Sequence, residues 1–333
     1  MIPGIVASAA LSQPNGPTQW TAVPDSAFPG GPSTNWQYLS SNPDTGVVVI
    51  SGLGSKFFRS IDYGNTWTAI PGPGGEASFL RIGGWVTGLN WIAQGNTNST
   101  YMTSADDGAT WTARTFPYTA TGLTFMFPDP STPGKVYGLN NLRLFVSTDS
   151  GVTFGSTPIF TFAGSVMLVI SPVNGTILAL QNGQDSGTII PSQYLVSTDG
   201  GVSWSTPQTL MANGVTYNAG IFNGTYWIIG SPKPAPSTQP LKYSTDLTSW
   251  TDITSTSVAA WAMGYNSVDS STVVVGDATV TPLTSRQSVT TWVASPVTPP
   301  VGVSNPTHLK LTAAGSYWLA AGSSGVIRAP RAM

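Results

Sequence analysis

The sequence predicts an all-β chain: seven repeated four-stranded antiparallel units, arranged in a ring. Three observations carry that expectation. A turn motif recurs along the chain, the composition disfavours helices, and the two ends carry complementary half-units. The 333 residues include 37 Gly and 27 Pro, which leaves little room for long helices. Twelve Trp, eleven Tyr and twelve Phe argue for a packed core rather than disorder. Charged residues make up only 8% of the chain, against roughly 25% in an average soluble protein. Glu76 is the one glutamate, so solvation falls to Ser, Thr, Asn, Gln and Gly.

The repeat comes first. Ser60-Ile-Asp62-Tyr-Gly64-Asn-Thr66-Trp67 recurs as Ser104-Ala-Asp106-Asp-Gly108-Ala-Thr110-Trp111. It returns as Ser147-Thr-Asp149-Ser-Gly151-Val-Thr153-Phe154 and as Ser197-Thr-Asp199-Gly-Gly201-Val-Ser203-Trp204. A shortened copy is Ser244-Thr-Asp246-Leu-Thr-Ser-Trp250, and a worn one runs from Ser285 through Gln287 to Trp292. Successive copies are 44, 43, 50, 47 and 41 residues apart, the length of a four-stranded propeller blade, about 40–50 residues.

The motif has a local logic. Apolar residues lead into it and a Trp-Thr pair leads out, so it joins two strands of a hairpin. The Asp carboxylate accepts amide hydrogen bonds from its own turn. Gly two positions on takes a positive φ, and the Trp opens the outer strand with its ring across the blade.

The ends complete the count. Gln19-Trp20-Thr21-Ala22-Val23-Pro24 mirrors Thr66-Trp67-Thr68-Ala69-Ile70-Pro71, an outer strand with nothing before it but an N-terminal arm, residues 1–17. The C-terminus offers three strands, starting near His308, Ser316 and Gly325. Pairing the two gives a seven-bladed β-propeller over residues 18–331, the ring closed by the N-terminal strand completing the last blade.

The motif resembles the Asp-box, or BNR, repeat Ser-x-Asp-x-Gly-x-Thr-Trp of sialidases, sortilin-type receptors, xyloglucan-cleaving enzymes, photosystem assembly factors and some phage virion proteins. The resemblance implies architecture rather than activity. It assigns structural roles to Asp62, Gly64, Trp67, Asp106, Gly108, Trp111, Asp149, Gly151, Phe154, Asp199, Gly201, Trp204, Asp246 and Trp250.

Chemistry is sparsely supplied. The sialidase mechanism needs an arginine triad and a tyrosine–glutamate pair, yet Glu76 beside Phe79-Leu-Arg81 is only a faint echo of that family's Arg-Ile-Pro motif. A glycosidase needs two carboxylates. Five of the thirteen Asp belong to the motif, and Asp44 and Asp129 sit in turn-like settings. Asp25, Asp107, Asp185, Asp252, Asp269 and Asp277 form no paired signature. His308 has no cysteine to share a zinc site. No catalytic residue, cofactor or metal is expected. A net charge of −2 offers no basic stripe for nucleic acid, and no apolar run is long enough for a membrane span. The start, MIPGIVASAALSQPNG, lacks the basic region of a signal peptide, which favours a docking arm.

These features point to a non-enzymatic virion protein of a tailed phage, extracellular, binding neighbouring virion subunits or a host surface glycan. The opening Met1-Ile-Pro-Gly-Ile-Val-Ala-Ser resembles the start of tailed-phage structural proteins. The alternative is a secreted bacterial glycan-binding module or glycoside hydrolase. Binding is expected on the face opposite the motif turns, where Gln181–Ser192 and Ser231–Leu241 are the longest insertions and Pro71–Ser78 and Pro296–Pro306 run between blades. The candidate binding residues are Lys233, Gln239, Asp185, Tyr118 and Tyr217, the two tyrosines as platforms for sugar stacking.

Overall fold

Short apolar runs between turn residues form the centre of the sheets. Val48–Gly52 and Val136–Asn140 are buried at every position, and so is Trp227–Gly230. Continuous burial means that both faces of these strands are covered, unlike the alternation of a sheet with one wet face. The computed structural model describes residues 21–31, 36–52, 56–71, 81–94, 100–118, 123–140, 142–164, 166–181, 184–186, 188–211, 217, 219–231, 241–254, 262–266, 271–275, 283–286, 289, 292–294, 310–314, 317–322 and 325–330.

Among these residues are seven four-stranded antiparallel sheets. The first comprises Trp36–Ser41, Val48–Gly52, Lys56–Ser60 and Thr68–Ala69. The second comprises Arg81–Thr87, Asn90–Gln94, Thr100–Ser104 and Thr112–Thr115. The third is Leu123–Pro128, Val136–Asn140, Arg143–Ser147 and Phe160–Thr161. The fourth is Val166–Ile170, Ile177–Gln181, Ser192–Ser197 and Gln208–Met211. Ala219–Phe222, Trp227–Gly230, Leu241–Ser244 and Thr251–Asp252 make the fifth. Ala262–Asn266, Ser271–Val275, Leu283–Arg286 and Val293–Ala294 make the sixth. The seventh joins Lys310–Ala314, Tyr317–Gly322 and Gly325–Pro330 to Thr21–Ala22 from the other end of the chain. No α-helix occurs among the described residues.

The N-terminal strand takes the register of the outer strands elsewhere. Thr21 faces Arg328 and Ala22 faces Ile327, as Thr68 faces Arg59 and Ala69 faces Phe58. The next amide continues the pattern: Val23 N–H donates to the Val326 carbonyl at 2.9 Å, as Ile70 does to Phe57 at 2.8 Å. Trp20 and the arm at 1–17 lie outside the described residues.

The core lies between sheets rather than within them. Phe57 and Val49 of the first sheet pack with Trp91 and Met102 of the second. Trp36 and Phe58 pack with Leu319 and Val326 of the seventh. Full burial of one such side chain contributes about 2 kcal/mol. The innermost strands of the first and seventh sheets are also in contact.

Candidate functional site

The recurring turn is a closed hydrogen-bond circuit. In the second sheet the Ser104 hydroxyl donates to Asp106 Oδ1 at 2.8 Å and accepts the Gly108 N–H at 2.9 Å. The Thr110 amide donates to Oδ1 at 2.8 Å and its hydroxyl to Oδ2 at 2.6 Å. The same bonds recur around Asp62, Asp149 and Asp199. Partial burial raises the Asp106 carboxyl, but the bonds from Thr110 and Ser104 outweigh it and hold the group below its ordinary value. At Asp199, hydrogen bonds from Ser203 and Ser197 bring it down to about 2.

Glycine is needed here for two reasons. Gly151 has φ +82°, and a Cβ there would sit 2.5 Å from Ile92 Cδ1 of the preceding sheet. The turn therefore docks on its neighbour as well as closing its own hairpin. The outer-strand indole then caps the turn: Trp111 Nε1 donates to Gly108 O at 3.0 Å and Trp204 Nε1 to Gly201 O at 2.9 Å. Trp292 makes the same bond to Val289 O at 3.0 Å, so the worn copy retains this part of the geometry. Phe154, which has no such donor, packs against Phe116 and Tyr101.

Asp107, unpaired in the sequence pattern, is the hub of the joint between the first and second sheets. It is buried. Its Oδ1 accepts from Asn42 Nδ2 and from Trp91 Nε1, each at 2.8 Å, and its Oδ2 accepts from the Thr45 hydroxyl at 2.7 Å. Arg59 Nε donates to its carbonyl at 2.8 Å. Asn42 and Thr45 belong to the turn between the first two strands of the first sheet. The spacing of the motif gave no sign of this cluster, because three of its donors, Asn42, Thr45 and Arg59, come from a different repeat.

The fifth sheet departs from this plan. Its turn is one residue shorter, and the Leu247 amide takes the glycine's place, donating to the Ser244 hydroxyl at 2.8 Å. The position that Asp107 fills in the second sheet is missing. Trp227 pairs with Ser244 as Trp91 pairs with Ser104, yet its indole N–H has no acceptor among the described residues. A cleft of about 800 Å³ opens between the fourth and fifth sheets on the side of the motif turns. Tyr194, Trp227 and Leu247 are buried at its floor, and Asn174, Gln208 and Thr248 are exposed on its walls. A second cavity, about 360 Å³, is lined by innermost strands of the third, fourth and fifth sheets, with Gly83 and Tyr265. Phe222 borders both.

The candidate binding residues fare differently. Tyr217 is buried in the cluster between the fourth and fifth sheets, where burial pushes its phenol pKa up. Packed there, it offers no face to a sugar, which corrects its assignment as a stacking platform. Tyr118 is half-buried, with the Arg143 guanidinium 4.8 Å above its ring and Phe145 beside it. Asp185 lies in a two-stranded extension, Gln184–Ser186 with Thr188–Ile190, at the end of the fourth sheet opposite the turn. Lys233, Gln239, Glu76, His308, Asp269 and Asp277 lie outside the described residues, as do 72–80, 232–240 and 295–309. The larger cavity lies on the turn side, with Asp246, Leu247 and Thr248 in its lining.

Two further carboxylates, Asp129 and Asp252, have structural partners, whereas Asp25 and Asp44 are exposed. Asp129 accepts from the Ser131 amide at 2.9 Å and hydroxyl at 2.6 Å, and it is buried. Asp252 is paired with Lys242. Among the described residues no group of three acidic or histidine side chains is arranged to hold a metal.

No protein-family model matches the chain, and no curated protein matches it. Solved structures do. A structure of YCF48 bound to a D1 peptide superposes with TM-score 0.66 at 14% identity, covering 94% of this chain and 97% of that one. Virginiamycin B lyase from Staphylococcus aureus gives 0.68 at 10%, covering 95% and 99%. The GH74 xyloglucanase of Xanthomonas campestris gives 0.63 at 15%, covering 93% of this chain and 53% of that one. The chain has a β-propeller fold. Likeness that extends equally to a lyase, a xyloglucanase and YCF48 speaks to architecture alone.

Proposed function

We propose that this propeller is a non-enzymatic structural component of a tailed-phage particle. In this reading the seven sheets are the Asp-box blades of one ring, closed by the strand at Thr21–Ala22, and the ring holds neighbouring particle subunits or a host surface glycan. The observation that carries the non-enzymatic part is the commitment of eight aspartates, which leaves Asp25 and Asp44 exposed and singly placed. Asp62, Asp106, Asp149, Asp199 and Asp246 are tied into their turns. Asp107 and Asp129 serve internal joints, and Asp252 faces Lys242. Hydrolysis of a glycosidic bond needs two carboxyl groups free to exchange protons or attack.

A protein partner is supported by architecture: YCF48, a propeller of the same extent, has been solved with a peptide bound. The strand pair Gln184–Ser186 with Thr188–Ile190 adds to the end opposite the turns. The scarcity of Lys and Glu and the character of the opening residues support the particle setting. Mass spectrometry of purified virions tests the reading. Peptides of this chain should appear at the level of other structural proteins, and the purified protein should release no sugar from xyloglucan or sialyl-lactose. Absence from the particle, or turnover abolished by changing one Asp outside the turns, would contradict it.

A further inference from the structure

The joint between the first and second sheets and the joint between the fourth and fifth are built on one template. The turn Asn42–Val47 and the turn Ser171–Thr176 share their backbone bonds. Asn42 N–H donates to Val47 O at 2.8 Å and Ser171 N–H to Thr176 O at 2.9 Å; Gly46 N–H donates to Asn42 O at 2.9 Å and Gly175 N–H to Ser171 O at 3.1 Å. Asn174 therefore stands where Thr45 stands, Ser171 where Asn42 stands, and Trp227 where Trp91 stands. In the first joint these positions converge on the Asp107 carboxylate. In the second that carboxylate is absent: the turn is one residue shorter, and the position, filled by Tyr63, Ser150 and Gly200 in the other full-length turns, is dropped. Two other joints are bridged across their rim, by Tyr101 Oη to Val152 O at 3.1 Å and by Asn223 Nδ2 to Thr272 Oγ1 at 3.3 Å. Among the described residues no side-chain hydrogen bond bridges the fourth and fifth sheets.

What remains is a cleft of about 800 Å³ whose donors lack the acceptor their template provides, within the ~300–1,000 Å³ range of ligand pockets. We propose that it is a binding site for a neutral oligosaccharide, with ligand hydroxyls taking the place of the Asp107 carboxylate.

The lining selects for that chemistry. It combines aromatic and aliphatic surface from Phe222, Tyr194 and Leu247 with hydroxyl and amide groups from Asn174, Gln208 and Thr225. Among the described residues no Lys or Arg lines it, and Val196 stands at the place of Arg59, so an anionic ligand meets no counter-charge from them. The one charge is Asp246, whose Oδ1 already accepts from the Thr248 and Ser249 amides at 2.8 and 2.9 Å; it repels a second carboxylate. A peptide bound as an added strand needs an open sheet edge, whereas this cleft is walled largely by turns. The inference stands on the cleft and does not require the particle setting.

Calorimetric titration of the full chain tests it, with cellohexaose, maltohexaose and chitohexaose as neutral probes. Hexagalacturonate and a Ser/Asn hexapeptide serve as acidic and peptide controls. At least one neutral sugar should bind at least tenfold more tightly than either control. Two variants should weaken it tenfold or more while keeping the thermal transition: Asn174→Ala, and replacement of residues 246–249 by the sequence of residues 106–110, which restores an Asp at the missing position. Trp227→Phe should also weaken it, through loss of the N–H. The proposal fails if no neutral sugar binds, if a control binds best, or if binding survives both the graft and Asn174→Ala. Absence of the chain from virions would overturn the particle reading and leave this one intact.

Discussion

At the scale of the residue, each motif turn exchanges the hydration of one carboxylate for three or four hydrogen bonds inside eight residues. The cost of losing it follows from those bonds. Asp106→Ala leaves the Thr110 amide and hydroxyl and the Ser104 hydroxyl without their acceptor, and water can replace part of it because the turn is exposed. The expected loss is about 1 kcal/mol, read as a lower urea midpoint with an unchanged slope. The same bonds set an acid dependence. A carboxyl whose pKa is lower in the folded state adds stability above its unfolded value and loses it as pH falls through the folded one. All five turn aspartates are shifted downward, so the window runs from the ordinary 3.8 down to about 2, the value at Asp199. The melting temperature should be level above about pH 5 and fall between about pH 4 and pH 2. A transition as high at pH 2 as at pH 6 would count against these bonds being formed.

At the scale of the element, the joints between sheets are where reading the sequence ran out. The turn was legible, because its Ser, Asp, Gly and Thr sit within eight residues and bond to one another. Asp107 was not, since its partners Asn42, Thr45 and Arg59 lie roughly 50–65 positions away and share no spacing with it. The cleft was hidden for the same reason: dropping one residue from the fifth turn looks like wear in a repeat, and its consequence depends on what Trp227 meets across the joint. Tyr217 was misjudged because a Tyr between two strands looks exposed, whereas its side chain packs in the cluster of Leu180, Tyr194 and Trp227. Asp107→Ala should therefore destabilise more than Asp106→Ala, by about 3 kcal/mol, because Asn42 and Trp91 are left with buried, unpaired donors. Urea unfolding of the two variants side by side checks the order, and equal midpoints would contradict the role given to Asp107.

At the scale of the molecule, the length of the repeat foretold four strands per sheet, and the pattern shared by the two ends foretold which strand would finish the last one. Both rest on backbone periodicity, which sequence carries well. Where the clefts lie rests on side chains meeting between repeats, which it carries poorly. The central structural claim is that the strand at Thr21–Ala22 completes the seventh sheet by pairing with Gly325–Pro330 and ties it to the first, with Val23 and Phe28 packed among Trp36, Phe58 and Leu319. Removing it exposes that cluster and frees a sheet edge, in a repeat architecture where each sheet is stabilised by its neighbours. Thermal unfolding of the chain lacking residues 1–24, against the full chain and one lacking residues 1–15, tests this most directly. The account predicts a transition lowered by about 10 °C or more for the longer deletion, or failure to fold, and an unchanged transition for the shorter. A protein lacking residues 1–24 that melts with the full chain would contradict it.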